Sequence, residues 1–246
     1  MNMKKIIKYI LAFSMLMSIC ACSQQSSQTT TVKDDPSKKS SGVITYSEYL
    51  DAKVDDLVTV ETYLQAKMDW WNDKTTIYTQ DLDGAYFIYQ MDCTQEQYED
   101  LEIGQKLKIT GYKSEWNGEI EIIDAKFEIE EGNYISEAYD VTELLGTDEL
   151  VAHLNQRISF TDMKITKIAR YGYDGKGMQG DDLYFSAKIH NQEYEFTVES
   201  DLCDRTTEVY EIVEGLKVGD KVDMEGFLYW YGQSMNPHIT SVTVKS

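Results

Sequence analysis

From Leu57 to Val244 the chain is built of short runs in which apolar and polar positions alternate, the period-two pattern of strands with one buried face. In the first half, a helical turn over Tyr46–Ala52 precedes a long alternating strand over Leu57–Trp70, broken at Trp71-Asn-Asp-Lys74. Thr75–Gln80 and Ala85–Met91 form a hairpin around Asp81-Leu-Asp-Gly84, where Asp-Gly is a tight-turn signal. A polar helix over Thr94–Leu101, a strand opened by Gly104, a turn over Lys113–Gly118 and a strand over Glu119–Ile129 complete it. The second half repeats the order: helix Asp148–Asn155, long strand Arg157–Ala169, hairpin Leu183–Ile189 with Glu193–Glu199, helix Thr206–Leu216, strands Lys221–Tyr231 and His238–Val244. The alternation of its long strand slips at Thr161 and Asp162, which predicts a bulge.

The two halves share a phrase. Leu101-Glu-Ile-Gly104-Gln-Lys106-Leu-Lys-Ile-Thr-Gly111-Tyr112 returns as Leu216-Lys-Val-Gly219-Asp-Lys221-Val-Asp-Met-Glu-Gly226-Phe227, at one constant offset. Self-similarity at a domain-sized interval means two copies of one module. We place them at 44–133 and 142–246.

Three meandering strands, a helix and two more strands resemble the OB-fold, a partly open five-stranded Greek-key barrel. The resemblance implies an all-β protein with short helices, made of two tandem five-stranded OB-fold-like barrels. It rests on pattern, and SH3-like and other small barrels share much of that pattern.

The N-terminus reads as an export signal over 1–21, with Lys4, Lys5 and Lys8 ahead of a short apolar core, Ile10–Ile19. That core is too short to span a bilayer, which takes roughly 20 residues. Its end, Ile19-Cys20-Ala21-Cys22, resembles the lipobox of bacterial lipoproteins, with Cys22 as the lipidated residue. Cys20 fits less well because Ile19 would stand where a small residue is needed. Residues 22–43 are polar, and we read them as a lipidated cysteine and a flexible tether. The whole is similar to uncharacterised lipoproteins of Gram-positive gut bacteria, which implies a membrane-anchored protein facing the extracellular side.

Net charge is −20, and more negative once the three signal lysines are removed. Such an excess repels phosphate backbones, so the expectation is no nucleic-acid partner. Cys93 and Cys203 read as two buried thiols.

Catalytic chemistry is sparse. His153, His190 and His238 are scattered and read as isolated surface histidines without metal-ligand spacing. No nucleophile elbow or phosphate loop occurs. Glu119 and Glu121 alternate with apolar neighbours and read as a solvated face rather than a catalytic pair. Asp81–Gly84 lacks the further acids of a calcium loop, and the acidic stretch Tyr173–Asp182 lacks its spacing. The expectation is therefore no enzyme, no cofactor and no metal.

Aromatic residues carry the functional signal. In OB-folds the loop between strands one and two and the loop between four and five border the ligand face. Here those loops hold Trp70, Trp71 and Trp116 in the first copy, and Tyr171, Tyr173, Trp230 and Tyr231 in the second. Flat rings on a platform stack sugars, peptide side chains or bases. With charge set against bases, the expected ligand is a glycan or a peptide, bound by a lipid-anchored extracellular module. An envelope spacer or subunit, and a carboxylate-based glycan hydrolase, are the alternatives.

Overall fold

The computed structural model describes residues 35–232 and 234–245. The expected signal, Cys20, Cys22 and the first part of the tether lie outside the described residues. Among the described residues no helix is long and apolar enough to cross a membrane.

The first module begins with α1 (Tyr46–Asp51), capped at Thr45, whose hydroxyl accepts from the Glu48 amide while the Glu48 carboxylate reaches back to the Thr45 amide. Then come β1 (Leu57–Lys67), β2 (Lys74–Gln80), β3 (Ala85–Asp92), α2 (Gln95–Asp100), β4 (Gln105–Trp116) and β5 (Glu119–Asn133). These strands close a barrel in the order β1-β2-β3-β5-β4, antiparallel except for the β3–β5 pair. That circuit is the OB-fold, as expected. Its core gathers Val60, Leu64, Ile77, Ile88, Leu107, Ile109 and Ile122, all inaccessible to solvent.

A bridging strand β6 (Tyr139–Asp140) and short 3-10 turns over Thr142–Leu144 and Asp148–His153 lead into the second module. It comprises β7 (Arg157–Tyr171), β8 (Leu183–Ile189), β9 (Gln192–Val198), α3 (Glu208–Gly215), β10 (Lys221–Phe227), β11 (Trp230–Tyr231), β12 (Ser234–Met235) and β13 (His238–Val244). Strand β10 pairs with both β7 and β13, and β9 meets β13 in parallel, so the same circuit closes around a second core. The predicted bulge is present: β10 skips β7 between Met163 and Phe160, with Asp162 at φ 54°.

The shared phrase now has physical content. Gly104 and Gly219 take φ of 88° and 102° at the turn into the fourth strand, and their amides donate to Leu64 and Ile165 of the long strands. Gly111 and Gly226 sit where that strand bulges against the fifth. A Cβ on Gly111 would stand 2.7 Å from the Ile123 carbonyl oxygen, and one on Gly226 would stand 2.8 Å from the Ile239 Cα.

Two expectations change here. The tether does not extend to residue 43: Lys39 bonds the Glu61 carbonyl and the buried Asp81 carboxylate, and the Ser40 amide donates to Glu61 Oε2 at 3.1 Å. Fixed partners inside the barrel explain why a polar stretch is held. The turn placed at Lys113–Gly118 is only Asn117-Gly118, both at positive φ, and β4 runs on to Trp116.

The barrels are not independent beads; they belong to one compact unit. A third apolar cluster joins them, with Met68, Tyr78 and Phe87 of the first packed on Phe227 of the second. Arg157 N donates to Gln80 Oε1 at 2.7 Å, and Asp69 N to the Asp201 carbonyl at 2.7 Å. Cys93 and Cys203 are both buried and unbridged.

Candidate functional site

Strands two and three of an OB barrel turn one face inward and the other toward a ligand. In the first barrel the outward pair is Tyr78 and Phe87, neighbours in register on β2 and β3. Neither reaches solvent, because the second barrel covers them: Phe227 stacks on Tyr78, and Tyr229 meets Phe87 edge-on at 5.3 Å. His238 completes the cover, its Nδ1 lying 3.0 Å from the Tyr78 hydroxyl. The strand face of the first barrel is therefore occupied by its own neighbour.

In the second barrel the same face is open. Tyr184 on β8 and Glu195 on β9 floor a cleft of about 620 Å³, walled by Tyr173 from the β7–β8 loop and by Tyr231, Ser234, Met235 and Asn236 from the loop before β13. Tyr173 is 73% exposed and meets Tyr184 edge-on at 5.7 Å. Arg170 lies over the Tyr184 ring at 5.3 Å, its Nη2 bonding Glu195 at 2.7 Å. Trp116, from the first barrel, extends the wall with its centroid 5.5 Å from that of Tyr231. Burial raises the Tyr184 phenol to about 12, so it stays a neutral ring and donor at physiological pH.

The expected aromatic rim is thus divided. Tyr173, Tyr231 and Trp116 come together. Tyr171 turns away, its hydroxyl donating to Glu214 Oε1 at 2.5 Å. Trp230 is half-buried beside Gly118. Trp70 is pinned by a 2.7 Å bond from Nε1 to the Cys93 carbonyl, while Trp71, 82% exposed, borders a separate cleft with Lys74, Gln90 and Asp201. Tyr184, Glu195 and Asn236 escaped the sequence reading. The outward parity of Tyr184 and Glu195 on their strands was the signal that could have found them.

Three other expectations are corrected. Glu119 is 0% exposed and Glu121 is buried too, so they are no solvated face. Burial pushes Glu119 up to about 8, against the pull of the Trp230 amide and Asn155 side chain that bond it. His238 is a buried, neutral histidine, held down to about 4 by desolvation, rather than a surface one. His153 is half-buried, stacked on Tyr139 at 4.5 Å. Among the described residues no cluster of histidine, cysteine or acid side chains has the geometry of a metal site.

No protein-family model matches the chain, and no curated protein does. Solved structures do match at the level of fold. A murine DNA-binding protein bound to double-stranded DNA is 8% identical, at a TM-score of 0.37, over 76% of this chain and 96% of its own. The Ifi202 HINa domain in complex with 20-base-pair double-stranded DNA is 12% identical, at 0.34, over 78% and 96%. A replication protein A heterotrimer bound to single-stranded DNA is 12% identical, at 0.31, over 74% of this chain and 49% of its own. These likenesses concern fold alone.

The expectation that nucleic acid is excluded, and the choice of a glycan or peptide that followed from it, is corrected on the charge of the cleft itself. The physical fault lay in using the charge of the whole chain. Net charge sets the far field, not the sign of one face. In the open cleft the only carboxylate among the lining residues, Glu195, is neutralised by Arg170.

Proposed function

We propose that the open face of the second barrel is a binding site for single-stranded nucleic acid, held mainly by stacking of bases. The observation that carries this is the set of rings around one cleft: Tyr173, Tyr184 and Tyr231, with Trp116 alongside. Each stacked base contributes about 1–3 kcal/mol and is accepted whatever its sequence. Asn236 and Ser234 offer polar groups to base edges, while Arg170 is tied to Glu195 and leaves phosphates in solvent. At about 2 kcal/mol each, two or three stacks correspond to a Kd between roughly 40 µM and 1 mM.

Fluorescence titration of the full chain with oligo-dT, oligo-U and a duplex tests this. Quenching by the single strands, lost in Tyr184→Ala with Tyr231→Ala, is the expected result. No response to either single strand at millimolar concentration, or equal response in the double variant, refutes it.

We further propose that the chain is exported and anchored through lipid on Cys22, as its resemblance to Gram-positive lipoproteins implies. Radiolabelled palmitate should enter the wild type and not Cys22→Ala; equal labelling of both would refute anchoring there.

A further inference from the structure

The wall of the cleft is a loop that the second barrel does not hold by itself. Residues 229–232 and 234–236 carry Tyr231, Ser234, Met235 and Asn236, and their only sheet pairing among the described residues is the two-residue ladder of β11 with β12. The second barrel holds its far end, where Thr197 Oγ1 donates to Asn236 Oδ1 at 2.7 Å and Met235 packs on the second core, but the Trp230 end is fastened by the first barrel. The Asn117-Gly118 turn accepts the Gly232 amide at 2.7 Å, through the Asn117 carbonyl. Glu119 follows directly and is wholly buried: its Oε2 accepts the Trp230 amide at 2.9 Å, and its Oε1 accepts Asn155 Nδ2 at 2.7 Å. Asn155 in turn donates to the Ile120 carbonyl at 3.1 Å, and its amide to Leu228 at 2.8 Å. One carboxyl therefore ties the β4–β5 hairpin, the entry to β7 and the cleft loop together.

A buried carboxyl is costly unless its bonds do something. Glu119 stands in a setting of other acids and phenols: Glu121 on the same strand, Tyr46 at the start of α1, Tyr78 on β2 and Tyr229 at the start of the loop. No cation faces it among the groups that perturb it. Its return is two N–H groups that would otherwise be buried without partners.

We infer that Glu119 is a positioning residue for the cleft of the other barrel, fixing the Trp230 end of the loop so that Tyr231 and Trp116 present their rings together. The inference rests on the nucleic-acid reading for its use, but its geometry stands apart from any ligand.

Hydrogen exchange on the full chain without ligand is the test. Glu119→Ala leaves the Trp230 amide unpaired and Asn155 Nδ2 with only its bond to the Ile120 carbonyl. Gly118→Ala acts without touching either core, since its Cβ, at φ 92°, would stand 2.8 Å from the Gly232 oxygen and 2.9 Å from Trp230 Cδ1. Both should speed exchange of the Trp230 and Gly232 amides at least tenfold while Ile165 and Phe196 keep their protection. Both should also weaken oligo-dT binding about tenfold. Unchanged protection at Trp230 in both variants, or loss spread equally through the β7 and β9 cores, overturns the inference. If the wild type takes up no oligo-dT but the exchange pattern holds, the loop is positioned as inferred and the nucleic-acid reading alone has failed.

Discussion

The ring of Phe227 lies flat on that of Tyr78, centroids 4.4 Å apart and planes 11° from parallel, and this stack joins the two barrels face to face. Each residue leaves its own sheet on the outer side, so each would be an exposed aromatic if its barrel stood alone. Phe227→Ala should therefore destabilise the whole unit by about 3–5 kcal/mol, the usual cost of removing a buried ring. Because Phe87, Tyr229 and His238 share the same seam, the wild type should melt in one calorimetric transition. Two resolved transitions in the wild type would mean that the seam is not cooperative.

Gly226 faces a closer neighbour than Gly111, and the difference is measurable. At Gly226 a Cβ would press on the backbone of His238 and Ile239, neither of which can step aside without moving the seam. At Gly111 one of the nearest atoms is Ile122 Cγ2, the end of a side chain. Gly226→Ala should cost about 2–3 kcal/mol and Gly111→Ala about 1–2. Denaturant midpoints in the opposite order would contradict the steric account.

Most of the fold was legible because each strand had to bury one face. Leu183–Ile189 and His238–Val244 are strands with the expected bounds, and the slip at Thr161–Asp162 is a real bulge. What alternation cannot say is what lies beyond the outer face. Glu119 and Glu121 stand at the positions that parity puts outside their barrel, yet both are buried, and beyond Glu119 lie Asn155 and the Trp230 amide of the other barrel and not water. His238 was misread for the same reason. The rim was half legible: loop position found Tyr173, Tyr231 and Trp116, but docking hid one strand face and left the other open. The turn expected over Lys113–Gly118 is present but shorter: the Asn117-Gly118 pair, a strong hairpin signal, makes it alone and presents Trp116 and Glu119.

Lys39 makes the end of the expected tether a structural strap. Its ammonium reaches the wholly buried Asp81 carboxylate, with Asp83 at 4.0 Å, and also bonds the Glu61 carbonyl at 3.0 Å. Burial raises the Asp81 carboxyl, and Lys39 opposes that first among its partners. Lys39→Ala should lower stability by about 3 kcal/mol, because it strands a buried acid. Lys39→Ala with Asp81→Asn should recover most of the loss. Chemical denaturation of the two variants checks this; a single variant as stable as wild type would show that the strap carries no energy.

Glu119 and Glu199 are both pushed up to about 8, by burial first in each case. Unfolded, both would titrate near 4.5, so between those values the folded chain holds more protons than the unfolded one. Stability is then greatest at the acid end of that window and is lost as pH rises toward 8. His238, held down to about 4, acts with the opposite sign, but only below its ordinary value of 6.5. From pH 7 to 8 the loss should be on the order of 1–2 kcal/mol, and Glu119→Gln should remove about half of its slope. A melting temperature that rises across this interval would refute the assignment.

Salt separates stacking from phosphate contact. A protein that neutralises several phosphates loses about 10³–10⁵ in affinity between 50 and 200 mM salt, because it no longer gains by releasing counterions. At the open cleft Arg170 is already bonded to Glu195 and sits over Tyr184, so it has little charge left to release a counterion with. The chain's −20 charge also repels the strand at long range, and added salt screens that repulsion. Oligo-dT affinity should therefore stay level or rise over this range. Glu195→Gln, which frees the guanidinium, should tighten binding and restore a falling salt dependence with a slope near one phosphate. A wild-type affinity that drops a hundredfold would place the contacts on the backbone and away from the rings.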